Sequence, residues 1–127
     1  MSGLSNYLET LLLTWHLTGN AATRPTAWFL GVGTGSSDTG LTGEPSGNGY
    51  ARVAISSTVS GDTATNSGAL TLGPCTGASW GTMSHFGIFD ASTGGNLLWH
   101  GGLQAAKTVD VGDSLAVAAS AVALTLA

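Results

Sequence analysis

The side chains able to do chemistry near neutral pH are few: His16, His85, His100, Cys75 and the carboxylates Glu9, Asp38, Glu44, Asp62, Asp90, Asp110 and Asp113. Metal ligation needs several such groups at spacings that turn their donor atoms to one side, as in HExxH on a helix or CxxC in a tight turn. Neither spacing occurs, nor do two histidines two residues apart on a strand, so no metal ligand is assigned. His85 and His100 lie in segments that read as partner strands. Neighbours across a ladder form a hydrogen-bonded structural pair more readily than a metal site. One cysteine cannot bridge within the chain, and without placed histidine partners Cys75 reads as a buried structural thiol.

Nucleophilic catalysis finds no better footing. A serine of the α/β-hydrolase type needs GxSxG at a strand-to-helix elbow, and no such pentapeptide is read here. Ser84 adjoins His85, but consecutive strand residues point to opposite faces, so the two are not expected to form a nucleophile and base. Asp110 and Asp113 flank a turn, where carboxylates usually bond to nearby backbone. Gly31, Gly33 and Gly35 imitate a dinucleotide loop, yet Ser36 follows and no helix does, so the fingerprint fails. Trp15, Trp28, Trp80 and Trp99 suit either a sugar-stacking platform or packing in a core or interface, and packing is the simpler use of so much area. No catalytic, cofactor-binding or metal residue and no cofactor are assigned, and the chain is expected not to be an enzyme.

Charge is scarce. Arg24, Arg52 and Lys107 are the cations, and 8% of the 127 residues are charged, against about 25% in an ordinary soluble domain. Three scattered cations make no basic stripe, so nucleic acid is not an expected partner. No basic, apolar leader pattern opens the chain, and the apolar run 115–127 is too short and too patterned for a bilayer, so no membrane partner is expected either. Polarity comes from Ser, Thr, Asn and Gly, which a neighbouring protein can cover without stranding charges.

The elements that must position these residues begin with a helix over 2–18. Leu4, Leu8, Leu11 and Trp15 recur in steps of three and four, with Tyr7 and Leu12 adjoining. Ser2 is one N-cap, Asn6 with Glu9 is a competing capping-box start, and Gly19 with Asn20 marks the stop. Its apolar stripe, which also takes in Leu13 and Leu17, is wider than one packing face needs, so it lies deep across a sheet or meets another subunit.

Beyond Pro25 the chain reads as short strands: 26–32, 49–57, 68–72, 82–89, 97–101, 105–109 and 114–126. Residues 33–48 form a long polar loop, and 60–67 a turn region. Asp90 to Asn96 is rich in turn formers and joins the best hairpin. In 114–126 the apolar positions switch from odd to even, which predicts a bulge or a change of sheet near 119–121. The expected fold is mainly β, a single domain over 1–127: an antiparallel β-sandwich, jelly-roll-like or Ig-like, of about seven strands with one N-terminal helix.

Ordered blocks run along this framework: the opening helix, Glu44-Pro45-Ser46-Gly47-Asn48-Gly49-Tyr50-Ala51-Arg52, Trp80-Gly81-Thr82, His85-Phe86-Gly87-Ile88-Phe89-Asp90, the run from Gly94 to Gly101, and the run from Lys107 to Leu115. Together they cover most of the chain, and the chain resembles a widespread family of short tailed-bacteriophage virion proteins labelled tail fibre or virion-associated proteins. The resemblance implies a structural component of the particle, made in the host cytoplasm and carried on the virion surface. A capsid-surface decoration, cement or turret subunit is the first expectation. A small tail or tail-fibre-associated module is the alternative, and a carbohydrate-binding host-recognition module is an alternative of another class. The implied partners are further copies in three-, five- or six-fold groups and other virion proteins, the major capsid protein first, with a host glycan left open. Expected inter-subunit contact residues are Leu4, Tyr7, Leu8, Leu11 and Trp15 on the helix, with Glu44, Tyr50 and Arg52 beside the long loop. Arg52 is placed to pair with Glu44 or with a neighbour's carboxylate.

Overall fold

The computed structural model describes residues 3–126. The chain runs β1 (Gly3–Leu4), α1 (Asn6–Leu17), β2 (Phe29–Gly33), β3 (Gly35–Ser37), β4 (Gly40–Thr42), β5 (Val53–Ala54), β6 (Ser57–Ser60), β7 (Thr63–Asn66), β8 (Leu70–Leu72), β9 (Gly81–Phe89), β10 (Leu97–Val109), β11 (Leu115–Val117) and β12 (Ala123–Thr125). All pairings are antiparallel. One five-stranded sheet, ordered β1-β10-β9-β2-β5, is accompanied by the three-stranded β12-β7-β6 and the ribbons β11-β8 and β3-β4. The fold is thus mainly β and sandwich-like with one helix, as expected, but it has twelve strands among the described residues rather than about seven.

The extra strands come from segments read as loops. Residues 33–48 hold the β3-β4 hairpin, and 60–67 hold all of β7, which pairs with β6 around Gly61 and Asp62. Both hairpins are built from Ser, Thr and Gly, so no apolar alternation announces them. The expected strand 49–57 divides into β5 and the start of β6. Val53 and Ile55 do turn inward, but Ala51 is exposed. The segments 97–101 and 105–109 are one strand, β10.

Two irregularities in β10 shape the core. Leu97 faces Phe89 and Trp99 faces Ile88, so Leu98 is an extra residue in the ladder. This bulge allows Leu97, Leu98 and Trp99 to be buried in succession. Further along, Gly102 faces His85 and Lys107 faces Met83, so four residues of β10 lie opposite Ser84 alone. The main cluster gathers Leu30, Val32, Leu72, Met83, Phe86, Ile88, Val109 and Leu115 around Trp80 and Trp99. The parity switch near the C-terminus is real: β11 pairs with β8, Ser120 takes a positive φ of 63°, and β12 pairs with β7 in a different sheet.

The helix begins later than 2. Gly3 and Leu4 pair with His100 and Trp99 at the edge of β10, which holds them extended. Ser5 is the N-cap, its Oγ accepting from Leu8 N at 3.1 Å and donating to Leu97 O. The Ser2 cap falls outside the described residues. Ser5 N also donates to Leu98 O at 2.9 Å, so the N-terminal end of α1 is pinned to β10. No residue of α1 is buried.

Candidate functional site

The Glu44 to Arg52 block folds into a knot of satisfied polar groups. The Arg52 fork meets Glu44 twice, Nε to Oε2 at 2.7 Å and Nη2 to Oε1 at 2.9 Å, the bidentate geometry that makes such pairs strong. Its Nη1 donates to Ala91 O and Gly94 O at 3.0 and 2.8 Å, fixing the β9-β10 loop, and its guanidinium carbon lies 3.5 Å from the centre of the Phe89 ring. Tyr50 OH donates to Glu44 Oε2 at 2.6 Å and accepts from Val32 N at 3.1 Å.

Two glycines make room for this. A Cβ on Gly31 would stand 2.7 Å from Glu44 Oε2 and 2.8 Å from Tyr50 OH. Gly49, at φ 79°, would press a Cβ to 2.2 Å from Pro74 O. Burial alone would raise the Glu44 pKa, but the hydrogen bonds from Arg52 and Tyr50 together hold it below the ordinary value. The Tyr50 phenol is pushed well up, first by burial and then by its bond to the Glu44 carboxylate. The Glu44 bond raises the Arg52 pKa.

A second cluster was not visible in sequence because its members are more than 60 residues apart. His100 Nε2 lies 2.9 Å from Asp38 Oδ1, and its Nδ1 lies 2.9 Å from Ser36 Oγ. With Nε2–H donating to the carboxylate, Nδ1 accepts from the serine, the polarity of a nucleophile, base and orienting acid. Asp38 is 58% exposed, however, and Ser36 and His100 line neither concavity described below. Asp38 O also accepts from Asn6 N at 3.0 Å, so the trio works as a clasp tying the β3-β4 turn to β10 and the helix start.

Ser84 and His85 do meet, against expectation, with Oγ 2.8 Å from Nδ1. The ladder is broken at Ser84, so strict alternation does not apply there. The Ser84 proton goes to Thr34 O at 2.9 Å, which leaves His85 as donor to the serine, the wrong polarity for a base. Contrary to the expectation of none, a GxSxG pattern is present as Gly77-Ala78-Ser79-Trp80-Gly81. It leads into strand β9 and not into a helix, and Ser79 Oγ is held by Val109 O, Asp110 Oδ1 and Gly81 N. Cys75 is buried, its Sγ 3.0 Å from Ala78 O.

One concavity is an apolar groove of about 730 Å³. Leu8, Leu11 and Trp15 of α1 form one wall. Val59 of β6 and Leu124 of β12 stand among the residues opposite, and Ile55, Leu98 and Trp99 are part of the floor. Trp28 and Arg24 also line it. Trp99 Nε1 is buried without an acceptor among the described residues. A smaller cleft of about 260 Å³ lies between the helix start, Asp38 and Asn96.

The model of the family described as podophage GP4 fiber I protein gp80 matches residues 3–125. The chain belongs to that fibre family. No curated protein matches it.

For a member of the fibre family, the contact residues expected from sequence fall into two groups. Glu44, Tyr50 and Arg52 are brought together, and their polar atoms are taken up within the chain. On the helix side, Leu4 and Leu8 are half-buried against the core, Leu11 is half-exposed, and Tyr7 and Trp15 are 41% and 62% exposed. Leu13 and Leu17, at 59% and 71%, are the most exposed leucines of α1. Both belong to the wide apolar stripe but lie outside the expected contact set.

Proposed function

We propose that this chain is a fibre subunit of a short-tailed phage virion that acts mechanically, through contacts with further copies and with other virion proteins. The observation that carries this reading is the family match along residues 3–125. The leucine-rich helix with no buried residue is consistent with it. Many modest, uncharged interfaces in a repeating array become strong together. The fibre description favours a place on the tail over the capsid-surface decoration, cement or turret role that the sequence put first, and makes fibre and tail proteins better expected neighbours than the major capsid protein.

The reading is tested by labelling. An epitope-tagged chain on intact particles, seen by electron microscopy, is expected to mark the fibres. Label over the head shell would restore the decoration role, and unlabelled particles would sink both. A host glycan remains a second reading because Trp15 and Trp28 are exposed beside the groove. A glycan array giving signal with the natural chain but not with Trp15→Ala would support it.

A further inference from the structure

We infer that the groove beside α1 receives the outer face of α1 from a second copy, joining subunits head to tail. The inference rests on the self-assembly in the reading above and names the surfaces that carry it.

At 3.6 residues per turn, Leu8, Leu11 and Trp15 point into the groove, whereas Leu13 and Leu17, four apart, project from the opposite side of the same helix. A twelve-residue helix is marginal in water unless an apolar face is packed, yet the apolar surface of α1 is only partly covered. The groove supplies a matching space. Its volume of about 730 Å³ is ample for the two leucine side chains of that outer face.

The exposed parts of Tyr7, Leu12, Leu13, Trp15, Leu17 and Trp28 sum to on the order of 700 Å² over the inserting and receiving faces together, below the ~1,600 Å² total of a standard interface, so each contact is modest and gains its strength by repetition. Charge agrees as well. Arg24 is the one charged residue lining the groove among the described residues, and the C-terminal end of α1 carries the negative end of the helix dipole. Because the inserted face and the receiving face are different surfaces, the contact is heterologous. Repeated, it closes into a ring or runs on as a filament.

The test uses the full chain and variants at exposed positions. Leu13→Ser with Leu17→Ser removes the inserting face, and Val59→Glu, at a residue 75% exposed, blocks the groove. Sedimentation at concentrations up to about 100 μM should show an oligomer for the natural chain and monomers for both variants, with association weakened about 100-fold or more. Circular dichroism melts should match in all three at a dilution where the natural chain is also monomeric. Mixing the two variants should give a one-to-one pair and nothing larger, because each pair holds one intact contact.

A monomeric natural chain, variants that assemble unchanged, or a mixture that stays monomeric would each overturn the inference. So would a monomer whose tryptophan emission shifts on adding dodecanoate, which would give the groove to a small apolar ligand. These outcomes are separable from the fibre reading, which stands or falls on particle labelling.

Discussion

The knot around Arg52 and the helix α1 use their residues in opposite ways. The knot is polar and complete: each charge has a partner, and each close approach is opened by a glycine. The helix is apolar and incomplete, held at Ser5, packed in part through Leu8, and with no residue fully buried. The motif-dense block therefore ties the fold together, while the plain run of leucines is what the fold leaves uncovered. Distinctive residues are not by themselves evidence of an outward role.

Breaking the knot should have the largest effect. Arg52→Ala leaves Glu44 half-buried and unpaired and frees two loop carbonyls, at an expected cost of about 3 kcal/mol and a fall in Tm of about 10 °C. Arg52→Lys should recover little, since an ammonium cannot make the two-pronged contact. Thermal melts check both. Next comes Asn66, 1% exposed, whose side chain donates to Gly68 O and Ala118 O and accepts from Val122 N. Asn66→Ala strands these groups at the join of β7 with the C-terminal strands and should cost about 2 kcal/mol in denaturant unfolding.

The third effect is a pH dependence. With its pKa lowered from the ordinary 4.5, Glu44 binds its proton less readily folded than unfolded. Its contribution is complete above that value and is lost as pH falls through the folded pKa. Glu44→Gln should flatten the acid limb of a stability-against-pH curve, and an unchanged limb would show that the knot is not what titrates. The smallest effect is expected at the helix. Leu13→Ala with Leu17→Ala should change the stability of the isolated chain by less than about 0.5 kcal/mol, so a large loss would show that these leucines already pack within one subunit.

What was legible in the sequence follows the same division. Strands that alternate or end in strong turn formers could be read: β9, the 97–101 part of β10, the Asp90 to Asn96 loop, and the parity change that sends β11 and β12 to different sheets. The hairpins β3-β4 and β6-β7 could not, because Ser, Thr and Gly pair through backbone bonds and leave no periodic trace. The helix start was misplaced because tertiary pairing with Trp99 and His100 outweighed local capping. The Arg52 to Glu44 pair was within reach at eight residues' separation. The His100 clasp was not, since nothing local ties residue 100 to residue 38.

One feature has a mechanical side. β10 carries the helix attachment at Leu97 and Leu98 and ends at Val109 beside Trp80, and between them four residues lie opposite one on β9. A load applied through α1 enters β10 at Leu97 and Leu98, and the bulge is where the ladder that would pass it along β9 is interrupted.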